Sequence, residues 1–254
     1  MLPFDRTSSG QTNHLMPPLA VPLYTLHLGS RDGFPISRDE IIPPVAKRFV
    51  SFSVTEGIGF FEGKTDPGWS IRIATDDIAT LVALAEDLRS TFQQFGVGIE
   101  AFGHYHRCRE ANRGDELIAQ LWGSRHGLEP TYFQTIFLTP EKAAVWPENF
   151  AILTAYATTG EVWSDERNHE ADQRLHQQFL ALGLSLIRII GSSPDRRHQE
   201  PSWAVKINRF QALTLGREFL QDAIYWVEGN QLSVISCHGH GKPVPVGTFR
   251  ARLK

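Results

Sequence analysis

Hydrophobic positions along the chain switch between two periods, and the switches mark the elements. "VPLYTLHLG" (21–29) alternates and predicts a strand. "ISRDEIIPPVAKRFV" predicts a helix, with Ser37 and Glu40 in capping-box spacing and Pro43-Pro44 confined to its first turn or delaying its start. "SFSVTEGIGFFEG" and "GWSIRIAT", bracketed by Gly, Asp and Pro, read as two strands joined by a turn. In "DDIATLVALAEDLRSTFQQFG" the residues Ile78, Leu81, Val82, Ala85, Leu88, Phe92 and Phe95 form one helical stripe. Asp76 or Asp77 caps its start, and Gly96 is expected to end it. "VGIEAFGHYH" returns as a strand, so the order is β-α-β-β-α-β.

The pattern then recurs. "NFAILTAYA" (149–157) predicts a strand, and "SDERNHEADQRLHQQFLALG" a helix with Ala171, Leu175, Phe179 and Leu182 inward. "LSLIRIIGSS" and "PSWAVKIN" predict strands, the second with Trp203, Val205 and Ile207 on one face. "RFQALTLGREFLQ" predicts a shorter helix, and "DAIYWVEG" with "NQLSVISC" a hairpin across Gly-Asn. "GSSPDRRHQEPSWAV" (191–205) is a polar connector between two strands, with Pro201 marking a strand start.

The expected class is therefore α+β, two tandem ferredoxin-like α/β sandwiches, each an antiparallel sheet with helices on one face. The boundaries expected are a flexible arm at 1–20, a first sandwich at 21–106, a packed connector at 107–148, a second sandwich at 149–240 and a tail at 241–254. The connector carries a helix over "EANRGDELIAQLWGSRHG", ending near Gly123 or Gly127. Its Leu117, Leu121, Trp122, Phe133 and Phe137 require a place to pack.

Composition narrows the class of function. Of the 254 residues 41% are apolar and 21% charged, and the net charge is -3. That balance offers no concentrated basic face, so no nucleic-acid partner is expected. No run approaches the ~20 apolar residues that span a bilayer, and the start lacks a secretory pattern, so no membrane association is expected. Two cysteines build no disulfide framework and suit a reducing, cytoplasmic setting.

From Thr131 to Cys237 the motifs occur in a recognisable order. They are the aromatic lead-in "TYFQTIF", the strand "AILTAYATTG", Asn168 opening the next helix, then "GSSPD", "EPSW" and "LGREFLQDAIYW". In this stretch the chain resembles the uncharacterised bacterial domain-of-unknown-function family 3293. Family members more often carry Asn-Pro before the glycine where this chain has "TAYATTG". The resemblance implies no activity.

Two polar constellations stand out. Asn168, Glu200, Ser202 and Gln221 are uncharged or singly acidic groups in apolar context, and His198 lies beside Glu200. Asn168 reads either as a helix-start amide bonding backbone N–H groups or as a ligand-facing amide. Glu200, held extended by Pro201, reads either as a partner of Arg196 or Arg197 or as a base or ligand group. Buried polar groups that the protein does not satisfy are candidates for binding a small ligand. The second constellation is His104, His106 and Cys108 with Cys237, His238 and His240. Residues two apart on a strand share a face, and these donors suit zinc if the two clusters meet, although neither spacing is a standard zinc signature.

Three functions follow as alternatives. One is a module binding a small ligand or a partner protein. Another is a metal-dependent hydrolase using the His/Cys site. The third is an assembly subunit, such as a homodimer, pairing through an open sheet face.

Overall fold

A computed structural model describes residues 21–31, 34–61, 64–111, 114–140, 145–158, 160–238 and 241–254. The arm expected at 1–20 and His240 lie outside the described residues. The fold is mixed α/β, with two antiparallel sheets and, among the described residues, six α-helices.

The first sheet is built from β1 (Leu23–Leu28), β2 (Phe52–Phe61), β3 (Lys64–Ala74), β4 (Gly96–Ala101) and β5 (His104–Arg109). Their order is β2-β3-β1-β4-β5, every pair antiparallel. Alternation puts Tyr24, Leu26, Leu28, Ile71, Ile73, Val97 and Ile99 on one face. Two helices cover it, α1 (Arg38–Ala46) through Ile41 and Val45, and α2 (Ile78–Thr91) through Ile78, Leu81, Ala85 and Leu88.

Local signals set the helix starts. Glu40 accepts the Ser37 backbone N–H at 3.0 Å, and Asp77 accepts that of Thr80 at 2.9 Å. Three expectations need correcting. Pro43 and Pro44 sit inside α1, beyond its first turn, where burial of Ile41 and Val45 offsets two missing donors. Helix α2 ends before Gly96, because Gln93 takes the left-handed turn (φ 53°) and Gly96 opens β4. Phe95 therefore leaves the stripe and is exposed, under the Arg109 guanidinium, while Phe92 fills the core. The single strand read over "VGIEAFGHYH" is a hairpin: Phe102 (φ 54°) and Gly103 (φ 78°) turn the chain from β4 into β5. Positive φ at both positions matches the right-handed twist of the flanking strands.

The second sheet has the order β12-β11-β10-β7-β9-β8-β6, again antiparallel. Its strands are β6 (Ile136–Leu138), β7 (Asn149–Leu153), β8 (Leu186–Ser192), β9 (Gln199–Val205), β10 (Ala223–Glu228), β11 (Gln231–Ser236) and β12 (Val244–Thr248). One face packs against α4 (Asp165–Ala181) and α5 (Arg209–Glu218) through Ala171, Leu175, Phe179, Ala212 and Leu215. The opposite face is covered too. Phe150, Ile152, Ile189, Tyr225, Val227 and Val234 pack beneath Tyr132, Trp146 and Phe249, the last from α6 (Phe249–Arg252). Burial on both faces explains why β10 and β11 read as near-continuous apolar runs.

Between the sheets lie α3 (Gly114–His126) and a 3-10 turn at Pro130–Phe133. Helix α3 gives Leu117 and Leu121 to the first core, while Ala119 meets Phe133 and Val244 of the second unit. Trp122 and Val246 flank that contact.

Candidate functional site

Asn168 and Gln221 converge on one segment, the turn that follows β7. Asn168 Oδ1 accepts the Ala157 backbone N–H at 2.9 Å, and the buried Gln221 amide donates to the carbonyls of Tyr156 (2.8 Å) and Phe219 (3.0 Å). The helix cap itself is Ser164, which accepts the Arg167 N–H at 3.3 Å. Glu200 and Ser202 project from the other face of β9, away from Trp203 and its helix side. The Glu200 carboxylate pairs with the exposed His198 ring at 2.7 Å, whereas Arg197 pairs with Asp195 at 3.5 Å. Glu200 therefore finds its partner two residues back, in the turn before β9, and not in Arg196 or Arg197. Ser202 Oγ donates to the Glu200 carbonyl at 3.1 Å.

A polar cluster that the sequence reading did not single out lies beside Asn168. Asp172, one helical turn on, is buried under the bidentate guanidinium of Arg188 (2.9 Å to each oxygen) and also accepts Trp203 Nε1–H at 2.9 Å. Arg188 lies 4.2 Å from the Trp203 ring centroid, and His176 stacks on the same ring at 4.6 Å. The spacing of 168, 172 and 176 is the only signal along the chain, since Arg188 and Trp203 are brought in by strand pairing. Burial raises the pKa of the Tyr156 hydroxyl, and the Asp172 charge raises it further. With three donors on its carboxylate, Asp172 is satisfied by protein alone.

The His/Cys constellation is dispersed. His104, His106 and Cys108 share the helix side of β5, with His104 exposed, His106 Nε2 3.1 Å from Ser124 Oγ, and Cys108 in the first core. Cys237 lies in the second core, and His238 turns outward to within 3.7 Å of Asp222. Among the described residues no three His, Cys, Asp or Glu side chains gather closely enough to hold a metal ion. Burial pushes the Cys237 thiol up to about 12 and raises that of Cys108. Neither is an activated thiolate.

A cavity of about 530 Å³ opens at the junction of the two units. Its lining includes Ile118 and Trp122 of α3, Phe133 and Ile136, and Val246 and Arg252. Trp122 stacks on His126 (5.3 Å) and Phe133 (6.2 Å), which makes that part of the lining rigid and aromatic. Burial lowers the His126 pKa, and the neighbouring Arg125 charge adds to the effect. The Arg252 guanidinium is half-buried and donates to the carbonyls of Phe133 (2.6 Å), Val246 (2.6 Å) and Thr135 (2.9 Å). Its lining combines apolar side chains with the polar Asp115, Gln134, Arg252 and Lys254.

No curated protein matches the chain. Among solved structures, a phage SAM lyase in its apo state is 17% identical, covering 39% of this chain and 98% of that one, at a TM-score of 0.28. The overlap is too slight to extend that protein's fold or chemistry to this one. No helix among the described residues is long and apolar enough to cross a membrane. The motifs expected from Thr131 to Cys237 do find their family, over a narrower span: residues 153–224 match the family described as "Protein of unknown function (DUF3293)".

Proposed function

We propose that the protein is a small-molecule-binding module, made of two ferredoxin-like sandwiches with the ligand seated in the cleft between them. The observation that carries this is the 530 Å³ cavity, walled by α3, whose other side packs on the first core, and by aromatic and aliphatic side chains of the second unit. Clefts at domain junctions are where proteins most readily enclose a ligand. The ferredoxin-like reading is supported by strand order. In β1–β4 the fourth strand neighbours the first, the first the third and the third the second, and β7–β10 repeat that permutation. Two buried, unpaired cysteines favour a cytoplasmic protein.

The test is calorimetric titration of the full chain with small aromatic compounds, beside Ala251→Trp. Ala251 is exposed at the cavity wall, so an indole there fills the entrance without breaking a bond. Saturable binding that Ala251→Trp abolishes is the expected result. Absence of binding, or binding indifferent to that substitution, overturns the proposal.

A further inference from the structure

We propose that the cleft selects organic anions, a carboxylate or phosphate monoester carried on an apolar body. This rests on the reading of the cleft as a ligand site. Arg252 is half-buried, and its three hydrogen bonds go to neutral backbone carbonyls. Among the described residues no carboxylate lies within ion-pair distance of it. A partly desolvated guanidinium whose protein partners are all neutral keeps its net charge, and an anion in the cavity compensates it. Those carbonyls take three of its five N–H groups, and the other two can each donate to an oxygen of a carboxylate or phosphate.

The other charges agree with that sign. Lys254 lines the rim with its side chain exposed, so the site presents two cations. The one acidic side chain in the lining, Asp115, accepts the Glu116 N–H at 3.1 Å at the start of α3. Trp122 and Phe133 add flat apolar surface to the same lining. The cavity thus matches a molecule with one acidic end and one greasy end. Burial lowers the Arg252 pKa, in keeping with a cation short of compensation.

The experiment is calorimetry of the full chain with phenylacetate, phenyl phosphate and the neutral phenylacetamide, at low and high salt. The acids are expected to bind at least about tenfold tighter than the amide, as charge-assisted hydrogen bonds require. Arg252→Gln should erase the difference. Because Arg252 also ties three carbonyls, Lys254→Gln serves as the second variant. It should narrow the difference and weaken its salt dependence without disturbing the fold. The preferred acid distinguishes a carboxylate from a phosphate ligand. Equal binding of acid and amide overturns anion selectivity while leaving the ligand cleft intact. No binding by any of the three overturns the cleft reading, and this inference with it.

Discussion

Arg188 grips both carboxylate oxygens of Asp172 at 2.9 Å, joining the inner face of α4 to β8. Trp203 donates to the same carboxylate from the neighbouring strand, so helix and sheet are locked at one point. Removing one partner strands the other in a desolvated place, which costs more than the pair contributes. Asp172→Ala is therefore expected to destabilise by roughly 2–4 kcal/mol, the lower part of the range for buried pairs because Arg188 keeps some exposure. Asp172→Ala with Arg188→Met should recover much of that loss. Urea unfolding of the two variants checks it, and equal midpoints would refute it.

Helix α5 sits so close to the sheet that a methyl group at Gly216 would meet Cys237 Sγ at 2.6 Å and Ile224 Cγ2 at 2.9 Å. Gly216→Ala should therefore lower stability by about 1–3 kcal/mol despite its better helix propensity. Cys237→Ala removes the sulfur, so the double variant should lose less than the sum of the singles. Additive losses in thermal unfolding would show that the two sites do not touch.

Two histidines link stability to pH. Burial depresses the folded pKa of both His106 and His126 below the ordinary 6.5. Below that value the unfolded chain takes up protons that the folded chain refuses, so stability falls as pH drops and rises with pH up to the unfolded value. Unfolding midpoints measured between about pH 5 and pH 8 should show this slope. His126→Phe, which keeps the stack on Trp122, should flatten it. An unchanged slope would remove His126 from the account.

Both cysteines are buried thiols, with pKa values raised by burial. Native protein should resist iodoacetamide near neutral pH, and both thiols should react once the chain is unfolded in urea. Rapid alkylation of one native thiol would contradict the structure.

The chain's own periodicity made much of the architecture legible. The stripe Ile78–Leu88, the Ser37–Glu40 and Asp77 starts, and the Gly229-Asn230 hairpin are local features, settled by residues a few positions apart. Gln221 is buried, as a polar residue in apolar context can be, whereas the Asn168 contact with Ala157 joins residues that no local pattern pairs.

Tertiary structure decided what depends on distant partners. Strand β5 exists because Phe102-Gly103 reverses the chain onto β4, although its residues read equally well as a continuation. Glu200 pairs with His198, two residues back in the turn before β9, and not with Arg196 or Arg197. The cleft lies furthest from any motif: Arg252 meets Phe133 across 119 positions, and its walls come from elements with no shared period. Hydrophobic periodicity reports which face of one element is buried, and it holds no information about which element will cover that face. That choice is made by packing and register summed over the whole chain.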